Sequence, residues 1–301
     1  MSLRLALLSH IARLTVKPVL TRAKNPEANS RLLERGARRW FRPPPYALYL
    51  DTDVGPGGLW ISARAGSRPV RPDKLVIYVH GGGFISGSPH THAAMCARIA
   101  WLTGVEVFAP RYRLAPSAPF PACVNDIRAA WDGVMAKGYR PENIVLAGDS
   151  AGGNLVLGLL ADLCAEGTRP AGVVALSPVA DFTFSGASIA NNARSECMLP
   201  AVRRDDLVAW YIGTQDPKDP HASPLFALYD APPPVLIQYA EDELLRDDGA
   251  RMADHLRRAG GEVEVQTWPH APHVFQIFDG WVPEARDALR GVAAFVQSRL
   301  T

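Results

Sequence analysis

The 301-residue chain is predicted to adopt an α/β fold with a mostly parallel eight-stranded sheet, helices on both faces and a helical cap. Two observations predict this. From about residue 75 onward, short apolar runs rich in β-branched residues alternate with segments of helical length. The apolar content is 48%, which in a chain of this length suffices for one large core.

The strands of this sheet are predicted from apolar runs bounded by glycine, proline or charged residues. In chain order they are Tyr46–Asp53, Leu59–Arg64, Leu75–His80, Val105–Ala109, Ile144–Ala147, Val173–Leu176, Val235–Tyr239 and Val263–Trp268. The sequence VGPGG joins the first two, which are therefore expected to form an antiparallel hairpin at one edge. Helices are expected near residues 90–102, 123–137, 151–165, 203–212, 247–259 and 283–299.

Two segments do not fit the alternation, and we call them the N-terminal excursion (1–44) and the second excursion (181–225). If both fold over the same end of the sheet, they form a cap on a core built from residues 45–180 and 226–301. The N-terminal excursion contains a possible basic helix, although such charge runs are usually solvated faces. The arginines that make this helix basic are Arg31, Arg35, Arg38, Arg39 and Arg42.

Charge and cysteine usage narrow the class of function. The net charge of +2 gives no electrostatic reason to expect a nucleic-acid partner. The segment MSLRLALLSHIARL is interpreted as an amphipathic helix rather than a poor signal peptide, and stable membrane insertion is not expected. Four cysteines without metal-ligand spacing are expected to be reduced, which favours a cytoplasmic location. They are Cys96, Cys123, Cys164 and Cys197.

The sequence GDSAG, residues 148–152, lies between a predicted strand and a predicted helix. In that context the pattern G-x-S-x-G is typical of a nucleophilic serine held on a tight strand-to-helix turn. Ser150 is therefore the candidate nucleophile. The alternative is a serine that only caps a buried helix.

The sequence HGGGF, residues 80–84, follows the predicted strand LVIYV. Consecutive glycines leave backbone N–H groups unobstructed, as stabilisation of an oxyanion requires. We assign the donors to Gly82, Gly83 and Ala151. A phosphate-binding loop is the competing interpretation, but the dinucleotide spacing and a Walker lysine are missing. His80 is expected to orient the loop by hydrogen bonding.

These motifs resemble those of the bacterial hormone-sensitive-lipase-like esterases of the α/β-hydrolase fold, over about residues 75–278. HGGGF is similar to that family's oxyanion motif and GDSAGGN to its nucleophile motif. The segments YRLAPSAPFPACVND, LSPVADF, DPHASPL and EDELLRDD also resemble family segments. Ser117 departs from the pattern, because the family usually has glutamate there.

The resemblance implies an ester hydrolase with a Ser-Asp-His triad that needs no metal or cofactor. The family's acid position is expected at Asp242, and its His-Val-Phe pattern falls on His273, although His270 is a second candidate base. Asp247 and Asp248 are interpreted as residues of a helix start, where acids favour the helix dipole.

The substrate is expected to be a short- to medium-chain acyl ester, because a capped pocket has a finite volume. The excursions supply apolar residues that either line this pocket or only pack the cap on the sheet: Trp40, Phe41, Phe182, Phe184, Met198, Leu199, Trp210 and Tyr211. Two other functions stay open, an amidase or arylformamidase and a non-catalytic small-molecule receptor. A homodimer is also possible.

Overall fold

The sheet has eight strands within residues 1–22, 26–63 and 71–301, which are the residues that the computed structural model describes. All eight predicted strands are present, with ends within two residues of those expected; Arg64, the predicted end of the second, lies outside the described residues. The strands are β1 (Ala47–Thr52), β2 (Gly58–Ala63), β3 (Leu75–Val79), β4 (Glu106–Pro110), β5 (Ile144–Asp149), β6 (Gly172–Leu176), β7 (Val235–Ala240) and β8 (Val263–Trp268).

The strand order is β1-β2-β4-β3-β5-β6-β7-β8. Strand β2 runs antiparallel to both of its neighbours, and the pairs from β4 to β8 are parallel. The predicted edge hairpin and the mostly parallel sheet are therefore confirmed.

Helices cover the sheet and form parts of both excursions. Those in the described residues are α1 (Leu3–Arg22), α2 (Pro26–Trp40), α3 (Pro89–Thr103), α4 (Ala122–Ala136), α5 (Ala151–Ala165), α6 (Ser188–Asn191), α7 (Arg204–Tyr211), α8 (Arg246–Arg258) and α9 (Pro283–Arg299). The six helices expected from the alternation are present, whereas the short α6 was not expected. No helix of the described residues is both long and apolar enough to cross a membrane.

The central strands are buried on both faces because helices pack on each side. Ile77 and Leu146 point toward the core under α4, α5 and α8, while Val76 and Val145 point toward the core under α3 and α9. This packing explains the nearly continuous apolar runs of the parallel strands. Because β3, β5, β7 and β8 run in the same direction, the loops that follow them lie together at the carboxyl ends of the strands.

The two excursions contact each other near these carboxyl ends. The guanidinium of Arg13 in α1 donates to the carbonyls of Arg194 and Ser195, over 2.9 and 2.7 Å. The ammonium of Lys17 donates to the carbonyl of Glu196 over 2.6 Å. These contacts are those that a shared cap requires, and the division into cap and core stays a prediction.

The four cysteines are free and buried. Within the three described ranges, no three His, Cys, Asp or Glu side chains lie close enough together to hold one metal ion.

Candidate active site

Ser150 lies on the predicted turn between β5 and α5, with φ of 51° and ψ of −116°. Such a positive φ is strained for a residue with a side chain. The flanking glycines allow the turn: a Cβ on Gly152 would lie 1.9 Å from the carbonyl oxygen of Val79, and one on Gly148 would lie 2.5 Å from the backbone of Gly152. The glycines of the motif are thus required by close backbone approach.

The structure brings Ser150 and His273 together. The Oγ of Ser150 and the Nε2 of His273 are 2.9 Å apart, and both side chains are buried. His273 lies in the loop after β8. Its other ring nitrogen, Nδ1, is 2.7 Å from Oε2 of Glu243, whose side chain is also buried. Serine hydroxyl, imidazole and carboxylate therefore form one continuous hydrogen-bonded chain.

The prediction that Asp242 contacts His273 is wrong. The carboxylate of Asp242 lies instead 2.7 Å from Nδ1 of the exposed His270. The cause is the turn after β7, in which successive side chains point to different sides. Glu243 is the residue that folds back, because its Oε1 accepts the backbone N–H of Ala240 at the strand end over 3.1 Å.

A sequence signal for Glu243 exists. Glu243 is followed by Leu244 and Leu245, both buried, whereas Asp242 lies between two other acids. His273 is likewise followed by the buried pair Val274 and Phe275. An apolar flank thus distinguishes the inner acid and the inner histidine from their outer neighbours.

The pKa of His273 is raised above its usual value. Burial of the imidazole acts to lower this pKa, but the hydrogen bond and negative charge of Glu243 outweigh burial, with further contributions from the charges of Glu196 and Asp149. The imidazole is thus a stronger base than an ordinary histidine.

Glu196 of the second excursion is a buried carboxylate that the sequence reasoning missed. Its Oε1 accepts the backbone N–H of Met198 over 2.6 Å, and its Oε2 accepts that of Leu244 over 3.2 Å. Burial raises the pKa of Glu196, and the charge of Glu243 raises it further while that of His273 lowers it. Glu196 therefore holds the loop that carries Glu243 and adds negative charge near the imidazole.

The candidate oxyanion loop turns sharply at Gly82 and Gly83, where φ is 123° and 64°. The carbonyl of Gly82 accepts both the N–H and the hydroxyl of Ser86, over 3.0 and 2.8 Å. Among the described residues, no acceptor is bound by the N–H groups of Gly82, Gly83 or Ala151. The assignment of these three N–H groups as oxyanion donors stays a prediction.

Asp149, next to the nucleophile, ties this loop to the strand that carries Ser150. Its Oδ1 accepts the hydroxyl of Tyr78 over 2.8 Å and the N–H of Gly81 over 3.1 Å, while its Oδ2 is 3.3 Å from Nε2 of His92. Burial acts to raise the pKa of Asp149, but the charge and hydrogen bond of His92 and the Tyr78 hydroxyl lower it below its usual value. An ionised Asp149 is thus a scaffold for the loop.

His80 orients the loop as expected. Its Nδ1 is 2.8 Å from the carbonyl oxygen of Gly81, and its ring stacks on Tyr112 with centroids 4.3 Å apart. Burial and the charge of His92 lower the pKa of His80 to about 3. A neutral His80 with its proton on Nδ1 therefore donates to Gly81.

Helix α7 of the second excursion packs on the candidate oxyanion loop. The ring of Tyr211 stacks on Phe84, with centroids 3.9 Å apart, and lies 5.3 Å from the ring of Phe182. Trp40 and Phe41 have another environment, against Trp281 and Phe278. Phe182 and Tyr211 thus pack the second excursion onto the core beside the site.

Known proteins resemble the chain in sequence. A family model described as the α/β hydrolase fold matches residues 76–277. The chain is 35% identical to an acetyl-hydrolase of Streptomyces hygroscopicus over 233 residues, which are 77% of this chain and 78% of that protein. It is also 35% identical to the carboxylesterase NlhH of Mycobacterium tuberculosis over 282 residues, covering 86% and 87% of the two chains.

Solved structures resemble it along its whole length. An esterase from the bacterial hormone-sensitive lipase family has a TM-score of 0.92 and 33% identity, covering 100% of this chain and 99% of that chain. The esterase EstE5, in a crystal soaked with p-nitrophenyl butyrate, also has a TM-score of 0.92, with 30% identity and the same coverage.

Proposed function

The chain belongs to the α/β-hydrolase family, in its bacterial hormone-sensitive lipase group, and we propose that it hydrolyses carboxylic esters with Ser150, His273 and Glu243. One observation carries the residue assignment: the buried hydrogen-bonded chain from Ser150 through His273 to Glu243. This triad differs from the one expected from the sequence only in its acid, which is Glu243 instead of Asp242.

The reaction begins when Nε2 of His273 takes the proton of Ser150 as Oγ attacks the ester carbonyl carbon. The carbonyl oxygen becomes negatively charged and accepts the N–H groups of Gly82, Gly83 and Ala151. His273 then donates the proton to the leaving alkoxide, which departs as an alcohol and leaves an acyl-serine. Water, deprotonated by His273, repeats the sequence on the acyl-enzyme and releases the acid.

Glu243 keeps the imidazole in the orientation and tautomer that the reaction needs. Because the carboxylate accepts from Nδ1, the proton of neutral His273 is on Nδ1 and Nε2 is free to act as a base. The negative charge also stabilises the imidazolium that forms during attack. The same interaction with Glu243 raises the pKa of His273 before any substrate binds.

We further propose that the preferred esters have short to medium acyl chains. Helix α7 supports this, because Tyr211 packs on Phe84 and a Cβ on Gly83 would lie 3.7 Å from the side chain of Leu207. The space beside the oxyanion donors is therefore bounded by the second excursion.

The proposed nucleophile is tested with Ser150→Ala. We expect hydrolysis of p-nitrophenyl butyrate to fall at least ~10³-fold, because only the oxyanion donors and binding would remain. Circular dichroism should show an unchanged fold. A folded variant with near-parental kcat/KM would refute the assignment.

The acyl preference is tested with p-nitrophenyl esters of rising chain length. We expect kcat/KM to peak at short or medium chains and to fall for long ones, since a bounded pocket excludes them. Faster turnover of long-chain triglyceride emulsions than of butyrate esters would contradict this preference. A formamide substrate assayed in parallel would identify an amidase.

A further inference from the structure

Helix α1 is apolar on two opposite faces, and only one of them is packed. Leu5 lies in a small core with residues of the 3₁₀ turn Phe275–Phe278 after β8 and of α9, and Ala12 on the same face is buried. On the other face, four apolar side chains follow one another at spacings of four, four and three residues, which places them in one stripe. We call them the outer stripe; they are between 48% and 90% exposed and comprise Leu3, Leu7, Ile11 and Leu14.

The segment that carries this stripe is strongly basic. The N-terminal excursion has ten Lys and Arg residues and two Glu residues, a net charge of +8. Because the whole chain has +2, the remaining residues have −6. Helix α1 contains no acid, and Arg31, Arg35 and Arg39 are exposed along one side of α2 at spacings of four. The positive charge of the chain is therefore concentrated in the N-terminal excursion, which also carries the outer stripe.

A half-exposed pair of tryptophans lies where the two helices approach the start of α9. The rings of Trp40, at the end of α2, and Trp281 are 5.8 Å apart. Ser2, just before α1, donates from its hydroxyl to Glu284 in the first turn of α9 over 2.8 Å. Tryptophan is the side chain that favours the boundary between lipid headgroups and acyl chains.

From these three features we propose that α1 and α2 dock the folded protein on the surface of an anionic phospholipid membrane. The outer stripe enters the boundary between headgroups and acyl chains, and the basic residues face the lipid phosphates. Binding to an anionic membrane requires exposed apolar residues next to basic ones and few acids, and α1 and α2 together have these features. A helix of this kind lies on a membrane and does not cross it.

Docking would act on the candidate site through contacts already described. Arg13 and Lys17 of α1 donate to the carbonyls of residues 194–196, and Glu196 in turn holds the loop with Glu243. The docked helix is thus connected to the triad through Glu196. The docking proposal does not rest on the proposed function, because it concerns binding and not hydrolysis.

Co-sedimentation of the full chain with vesicles tests the proposal. We expect binding to vesicles that contain phosphatidylglycerol, little binding to pure phosphatidylcholine, and release at about 0.5 M salt, where surface charges are screened. The variant Leu7→Gln/Ile11→Gln/Leu14→Gln should bind about tenfold more weakly, because binding scales with the apolar area that is buried. Arg31→Gln/Arg35→Gln/Arg39→Gln should lose affinity for the anionic vesicles.

The matched control is Val202→Gln/Leu228→Gln, which removes apolar side chains elsewhere that are even more exposed and should leave vesicle binding unchanged. Ser150→Ala should bind like the parent, so a failed catalytic assignment is distinguishable from failed docking. The proposal is overturned if the parent does not bind anionic vesicles, or if the control loses as much binding as the stripe variant. It is also overturned if the stripe variant converts a dimer to a monomer in sedimentation without any vesicle binding, which would identify the stripe as an interface between copies.

Discussion

Two acid–histidine pairs stand side by side beyond β7 and β8. Asp242 with His270 and Glu243 with His273 both join a carboxylate oxygen to Nδ1 over 2.7 Å. Their environments differ: the side chains of the outer pair are 32% and 61% exposed, and those of the inner pair 0% and 6%. Charges in water are screened and their pairing contributes little, whereas a buried pair acts in a low dielectric. The same contact is therefore a surface feature in one place and a candidate catalytic device in the other.

The largest difference between the pairs is expected at the histidines. His273→Ala should lower kcat/KM for a short ester at least ~10³-fold, because it removes the proposed base. His270→Ala should stay within about twofold, a barrier change of roughly 0.4 kcal/mol. Steady-state kinetics on p-nitrophenyl butyrate decides. Inactivation by His270→Ala with His273→Ala still active would reverse the assignment.

The acids should differ nearly as much. Glu243→Gln keeps the shape of the side chain but leaves the imidazole without its charged acceptor, and we expect a loss of about 10²- to 10⁴-fold in kcat. Asp242→Asn is the matched control and should retain near-parental activity, since its partner is the exposed His270. If Asp242→Asn cost as much as Glu243→Gln, burial would not be what separates the two pairs.

A smaller and more specific effect is expected at Glu196. Its negative charge helps to raise the pKa of His273, so Glu196→Gln should lower that pKa and move the acidic limb of the kcat/KM profile to lower pH. The plateau should fall by about tenfold or less, because stabilisation of the imidazolium is reduced.

The readout separates electrostatics from structure. A lower plateau with an unmoved acidic limb would show that Glu196 only holds the loop, through the N–H of Leu244. Glu264→Gln, at an exposed glutamate on β8, should change neither quantity.

The sheet and the serine turn were predictable because their signals are local. An apolar run between glycine and proline residues specifies a buried strand wherever it lies, and GDSAG between strand and helix specifies one turn. Asp242 and Glu243 are different, since they are adjacent, both acidic and on one loop. Which of them faces inward depends on a hydrogen bond to the end of β7 and on packing of the loop, and the sequence indicates it only through the apolar residues that follow Glu243. Glu196 was missed for the same reason, because its role comes from a contact across 48 residues of sequence.

The left-handed backbone of Ser150 has a consequence for the stability margin of the whole protein. A residue held in such a conformation costs on the order of 1–3 kcal/mol, against a total stability of roughly 5–15 kcal/mol for a typical protein. This strain lowers the free energy of unfolding, and the packing of the strands and helices around the turn offsets it before any substrate binds. The chain thus gives up part of its resistance to heat and denaturant in order to present one hydroxyl group, and mutations that weaken the distant core reduce the reserve that keeps this group in place.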